Sequence, residues 1–148
     1  MKKILIAMLA ATVLWRVNAA DSTWLTDLPA AQAQAKSDSK IVLLDFTGSD
    51  WCGWCIKFKK EVLDTPAFQD YAAKNVVLVE LDYPHKKVQS DDLKKANATL
   101  QTKYKISGFP TLVVLNKDGK EIGRQVGYAE GGPTAFIAKL EKFKSGKS

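Results

Sequence analysis

The stretch LLDFTGSDWCGWC, residues 43–55, holds both cysteines of a 148-residue chain. It runs from an apolar segment through the short turn TGSD into two cysteines, each preceded by a tryptophan. A strand, a turn and a helix start in that order place Cys52 at or near the first helical turn. Unpaired backbone N–H groups and the helix dipole favour negative charge there, so the thiolate is stabilised and its pKa falls. The thiolate is the attacking species in disulfide exchange. Cys55, about one turn later, lies on the same side but deeper, where it can attack a mixed disulfide formed by Cys52. Two thiols at this spacing can open a partner's disulfide and then release the partner.

Other uses of this spacing need company that the chain lacks. A bridge between Cys52 and Cys55 encloses two residues and constrains the unfolded chain very little, so it makes a poor structural staple. Zinc would need two further soft ligands, but no other cysteine exists and the single histidine, His85, falls in a polar stretch. Covalent haem attachment would need a histidine after the second cysteine, where Ile56 stands. No metal or cofactor is expected, and His85 reads as a surface residue.

Outward from this motif, the chain reads as one domain, with 46% hydrophobic and 26% charged residues. Apolar, β-branched runs at 40–46, 75–82 and 111–116 predict strands covered on both faces. The turn KDGK leads from the third into an alternating edge strand, EIGRQVG, at 121–127. Helical patterns occupy 30–36, 52–63, 91–104 and 133–143, the last with Phe136, Ile137, Leu140 and Phe143 on one stripe. This order predicts an α/β sandwich: a parallel βαβ half followed by an antiparallel hairpin. The polar segment YPHKKVQSDDLKKAN, from Tyr83, predicts a surface excursion before the third main helix.

The first residues carry a different signal. Lys2 and Lys3 precede an apolar run of about a dozen residues, and Val17-Asn18-Ala19 supplies a small-residue cleavage site. Residues 1–19 therefore read as a secretory signal peptide, cleaved after Ala19 or, as second choice, Ala20, and residues 20–148 as the mature domain. A membrane anchor would need roughly 20 apolar residues, and Arg16 closes the run too early. Without Lys2, Lys3 and Arg16 the formal charge falls from +6 to +3. The remaining lysines are scattered among acids rather than gathered into a nucleic-acid surface, so neither nucleic-acid binding nor stable membrane insertion is expected.

Taken together, LLDFTGSDWCGWC, the tetrapeptide GFPT at 108–111 and the strand, turn, strand and helix that follow resemble the thioredoxin family over nearly the whole mature chain. The resemblance is strongest to exported proteins with a Trp-Cys-x-x-Cys site and to the periplasmic C-terminal domain of the membrane disulfide reductase DsbD. It implies a thioredoxin fold, a central mixed sheet flanked by helices, here with an extra N-terminal helix and a short insertion before the third main helix. It also implies Cys52 as nucleophile, Cys55 as resolving thiol and Asp45 as the buried proton acceptor. By the same resemblance Pro110 is the cis-proline facing the site, with the backbone of Phe109 offered to an extended peptide. Trp51, Gly53, Trp54 and Thr111 complete the implied substrate surface. Two positions depart from the pattern: Lys59 stands where the DsbD domain has an acidic residue, and Leu78 where common thioredoxins place a lysine beside the aspartate.

Gly53-Trp54 adds no positive charge beside Cys52, which favours a reducing or intermediate potential over a strong oxidant. The excursion is too short for the helical insertion of DsbA-type oxidases, and no dimerisation domain of the DsbC kind is present. The expected protein is a monomeric periplasmic or secreted oxidoreductase that reduces disulfides in exported proteins and draws electrons from a membrane partner. Disulfide formation or isomerisation, and a redox-quiet binding scaffold, are the competing readings.

Overall fold

Every residue of Ile41–Thr47 is buried, and this strand, β1, forms the middle of the molecule. The structure, a computed structural model, describes residues 23–146; the expected signal segment lies outside them. Strand β2, Val76–Asp82, pairs parallel to β1, with Asp45 opposite Glu80 and Thr47 opposite Asp82. Strand β3, Thr111–Leu115, pairs antiparallel on the other side of β1, and β4, Glu121–Val126, closes the sheet antiparallel to β3. The sheet order is β2-β1-β3-β4. A short parallel bridge from Leu25 to Val79 extends the β2 edge.

Side chains on a strand alternate between faces, and the two halves of the core follow that rule. Val42, Leu44 and Phe46 pack toward helices α1, Leu28–Asp38, and α4, Asp91–Lys103. Ile41 and Leu43 pack on the other face, against Phe58, Val62, Phe68, Phe136 and Leu140. Those five side chains come from α2, Gly53–Phe58, the π-helical turn Lys59–Leu63 that continues it, α3, Pro66–Asn75, and α5, Gly132–Ser145. Full burial of such side chains contributes about 1.5–3 kcal/mol each, and rings at 5.2 Å (Phe58–Phe136) and 5.7 Å (Phe68–Phe136) tie α2 and α3 to α5.

The fold is the expected thioredoxin fold with its N-terminal helix. It differs from the sequence reading between the first two strands, where that reading held a single helix over 52–63. The chain there turns through the π-helical segment, in which the Asp64 N–H donates to the Lys59 carbonyl at 2.8 Å, and then starts a new helix. Thr65 caps that helix by accepting from the Phe68 N–H at 3.3 Å, and Pro66 occupies its first turn. Thr-Pro is a strong start signal because proline suits the first helical turn and breaks a preceding helix. Among the described residues no helix is long and apolar enough to cross a membrane.

Candidate active site

Strand β1 delivers the chain, through the turn at residues 48–51, to the N-terminus of α2. Cys52 is the helix N-cap, and its sulfur accepts from the Cys55 N–H at 3.2 Å. Cys52 and Cys55 form a disulfide, with Cα atoms 5.2 Å apart. Both cysteines are buried, Cys52 with 7% of its surface exposed, so a partner must approach the sulfur at the helix tip rather than across an open face.

Asp45 lies on the same face of β1 as Leu43 and Ile41, the face covered by α2 with Cys55. Burial, with help from the neighbouring charge of Glu80, pushes its carboxyl up to about 7, and Lys59 opposes that rise. Its Oδ1 has no hydrogen-bond partner among the described residues. Glu80 is raised as well, by burial first and then by Asp82. Lys59 also forms a close ion pair with Asp64 and lines, with Cys55, Thr47 and Ser49, a cavity of about 180 Å³. A carboxyl that titrates near neutrality on the sheet face covered by the cysteine-bearing helix is suited to taking and returning a proton.

The 109–111 turn leads into β3 at the end of the sheet where β1 ends, Thr111 pairing with Phe46 and Phe109 lying against Trp51. The Phe109–Pro110 peptide bond is cis. The Pro110 carbonyl accepts from the Gly127 N–H at 2.8 Å, and Thr111 Oγ1 donates to the Gly108 carbonyl at 2.7 Å. The Phe109 ring meets the Trp51 ring edge-on at 5.9 Å and stacks on Tyr83 at 5.0 Å.

Two aromatic walls flank the helix tip. On one side Trp51, 42% exposed, donates its indole N–H to the Tyr83 carbonyl at 2.7 Å and stacks on His85 with ring centres 4.5 Å apart. On the other, Trp54, 58% exposed, lies 5.5 Å from Tyr128, with the Lys57 ammonium over both rings. Gly53 is exposed between them, and a Cβ there would meet nothing within 4 Å.

The structure thus gathers Cys52, Cys55, Trp51, Gly53, Trp54, Phe109, Pro110 and Thr111 at one end of the sheet, with Asp45 beneath. Sequence reasoning missed Glu80, Tyr83, Tyr128 and the contact made by His85. Glu80 was visible as one of two acids in an otherwise apolar strand, but its pairing with Asp45 depends on a register that the strand pattern does not fix.

A disulfide at the N-terminus of a helix packed on this sheet, with a buried carboxyl on the same sheet face, defines a thioredoxin-fold protein with a paired Cys-x-x-Cys site. Residues 28–144 match the model of a thioredoxin-like domain. The chain is 36% identical over 125 residues to the disulfide bond reductase DsbH of Chlamydia pneumoniae, covering 84% of this chain and 74% of that protein. It is 30% identical over 116 residues to the thiol:disulfide interchange protein DsbD of Pasteurella multocida, covering 77% of this chain but only 18% of DsbD. A solved structure of a DsbH oxidoreductase superposes with a TM-score of 0.79 at 32% identity, covering 94% of this chain and 95% of that one. The chain belongs to the thioredoxin-like family and is a thiol:disulfide oxidoreductase of the Dsb type.

Proposed function

We propose that the protein is exported through cleavage of residues 1–19 and works in the periplasm as a disulfide reductase for exported proteins. The observation that carries the direction is the local charge at Cys52. Its sulfur accepts from the Cys55 N–H, Gly53 and Trp54 supply no cation, and the Lys57 ammonium is held over the Trp54 and Tyr128 rings. A thiolate with modest stabilisation leaves a disulfide of low potential, so the reduced dithiol is the donor. The name of the similar DsbH, a disulfide bond reductase, supports the same direction.

In the proposed cycle the Cys52 thiolate attacks one sulfur of the partner's disulfide. A mixed disulfide forms and the partner's other sulfur leaves as thiolate. Cys55 then gives its proton to the Asp45 carboxylate and attacks the Cys52 sulfur, which closes the Cys52–Cys55 disulfide and expels the partner's remaining thiolate. The partner has gained two electrons and, from solvent and the Asp45 carboxyl, two protons. A membrane dithiol donor restores the pair by the reverse exchange. Trp51, Trp54 and the Phe109–Thr111 turn hold the partner's chain against the helix tip.

Insulin, reduced ribonuclease and a thiol assay test the direction. The reduced protein should cleave insulin's disulfides well above the dithiothreitol background. The oxidised protein should restore ribonuclease activity no faster than buffer. Rapid reactivation of ribonuclease by the oxidised form, with no cleavage of insulin, would make the protein an oxidant instead.

A further inference from the structure

The excursion after β2 is held more tightly than an exposed polar loop needs. The Asp50 carboxylate accepts from three consecutive backbone N–H groups, those of His85 at 2.9 Å, Lys86 at 2.7 Å and Lys87 at 3.0 Å. Lys87 Nζ donates to Ser49 Oγ at 2.8 Å, and Ser49 Oγ donates to Asp82 at 2.6 Å. Tyr83 is anchored at both ends, its N–H to the Thr47 carbonyl at 2.9 Å and its hydroxyl to the Asn97 carbonyl at 2.7 Å.

This latch delivers one side chain to one place. The His85 ring stacks on the Trp51 ring, the two planes within 5° of parallel and the ring centres 4.5 Å apart. Trp51 is then held from three further directions. Its N–H is bonded to Tyr83, its flank meets Phe109, and Gly48 lies so close that a Cβ there would sit 2.5 Å from the indole. Asp50 and Trp51 are the two residues before Cys52, so loop and nucleophile are set by the same turn.

We infer that His85 is a substrate-positioning residue: stacked on Trp51, it extends the wall beside Cys52 and favours disulfides carried on an extended peptide with an apolar or aromatic side chain near the reacting cysteine. Such a peptide must pass between the Trp51–His85 and Trp54–Tyr128 ring pairs to present its sulfur. A small aliphatic disulfide has no ring or chain to lay against either wall. His85 touches no reacting atom; it acts by fixing Trp51 and by adding ring surface that is already ordered before the partner arrives, which lowers the cost of binding.

This inference rests on the disulfide-reductase activity proposed above, and the experiment separates the two. Wild type, His85→Ala and His85→Phe are compared on insulin and on the small aliphatic bis(2-hydroxyethyl) disulfide, with the reduction potential of each protein measured in parallel. Loss of one aromatic contact should raise the KM for insulin about three- to tenfold. The kcat, the rate with the small disulfide and the potential should stay at wild-type values, and His85→Phe should restore the KM. Asp50→Ala, which frees the loop but keeps the histidine, should show the same KM defect. Equal KM values for wild type and His85→Ala would overturn the inference alone, as would an equal loss on both substrates. A wild type inactive on both would overturn the activity on which it rests.

Discussion

Asp45→Asn yields a protein that is more stable than wild type at pH 8, indistinguishable from it at pH 4, and slow to release its partner. The wild-type carboxyl titrates at about 7 in the fold against an ordinary value of 3.8, because burial disfavours its charge and Glu80 adds to the repulsion. Between those two values the unfolded chain has lost the proton while the folded chain keeps it. The native state therefore binds more protons, and stability falls as pH rises until the folded carboxyl ionises. The shift corresponds to about 2–4 kcal/mol of lost stability above neutrality, a loss that the neutral asparagine does not suffer. The same substitution removes the acceptor for the Cys55 proton, so turnover should fall by about 10²-fold and lose its inflection near neutral pH. Urea unfolding at pH 4, 6 and 8 and stopped-flow resolution of a mixed disulfide check both halves. Parallel stability curves for the two proteins would show that Asp45 keeps an ordinary carboxylate pKa in the fold, too weak a base for the role assigned to it.

The two cysteines should fail in different ways. Cys52→Ala removes the N-cap sulfur at the helix tip, and insulin reduction should drop to the uncatalysed background with no covalent adduct. Cys55→Ala keeps the nucleophile and its helix position but removes the thiol that closes the cycle. Multiple turnover should be lost just as completely, while mixed disulfides with exported proteins accumulate through Cys52. Non-reducing gels and mass spectrometry of the trapped species read this directly. Adducts on Cys55 in the Cys52→Ala protein would reverse the assignments. Partners bound without any covalent link, in either variant, would favour a binding scaffold.

Much of the architecture was legible because the apolar runs of β1, β2 and β3 are short, β-branched and bounded by turn residues. The ends of these strands fall within a residue or so of where the pattern places them. The break between the π-helical turn and α3 was missed because Cys55, Phe58 and Val62 keep helical spacing up to it, and the Thr65-Pro66 start signal lies just beyond. The cysteines were legible from spacing alone, whereas Asp45 and Pro110 needed the family resemblance. What stayed hidden depends on tertiary register. The Glu80 charge beside Asp45 follows from parallel pairing of β1 with β2. The stacking of His85 on Trp51 follows from three backbone N–H groups gathered by Asp50, a carboxyl thereby held down to about 2 despite its exposure. No local pattern announces either contact. Lys59 likewise departs from the family by sequence, but only the fold shows that its charge acts on Asp45 and that its side chain lines the cavity beside Cys55.

The equilibrium reduction potential of the Cys52–Cys55 pair decides which way electrons flow between this protein and its partners. Trp51 and Trp54 border the disulfide, so tryptophan fluorescence in defined thiol buffers should follow the exchange. A potential near about −270 mV, like that of thioredoxin, is the expected result and makes the reduced protein a donor to exported disulfides. A potential between about −180 and −120 mV would contradict the account and assign the protein to disulfide formation or reshuffling.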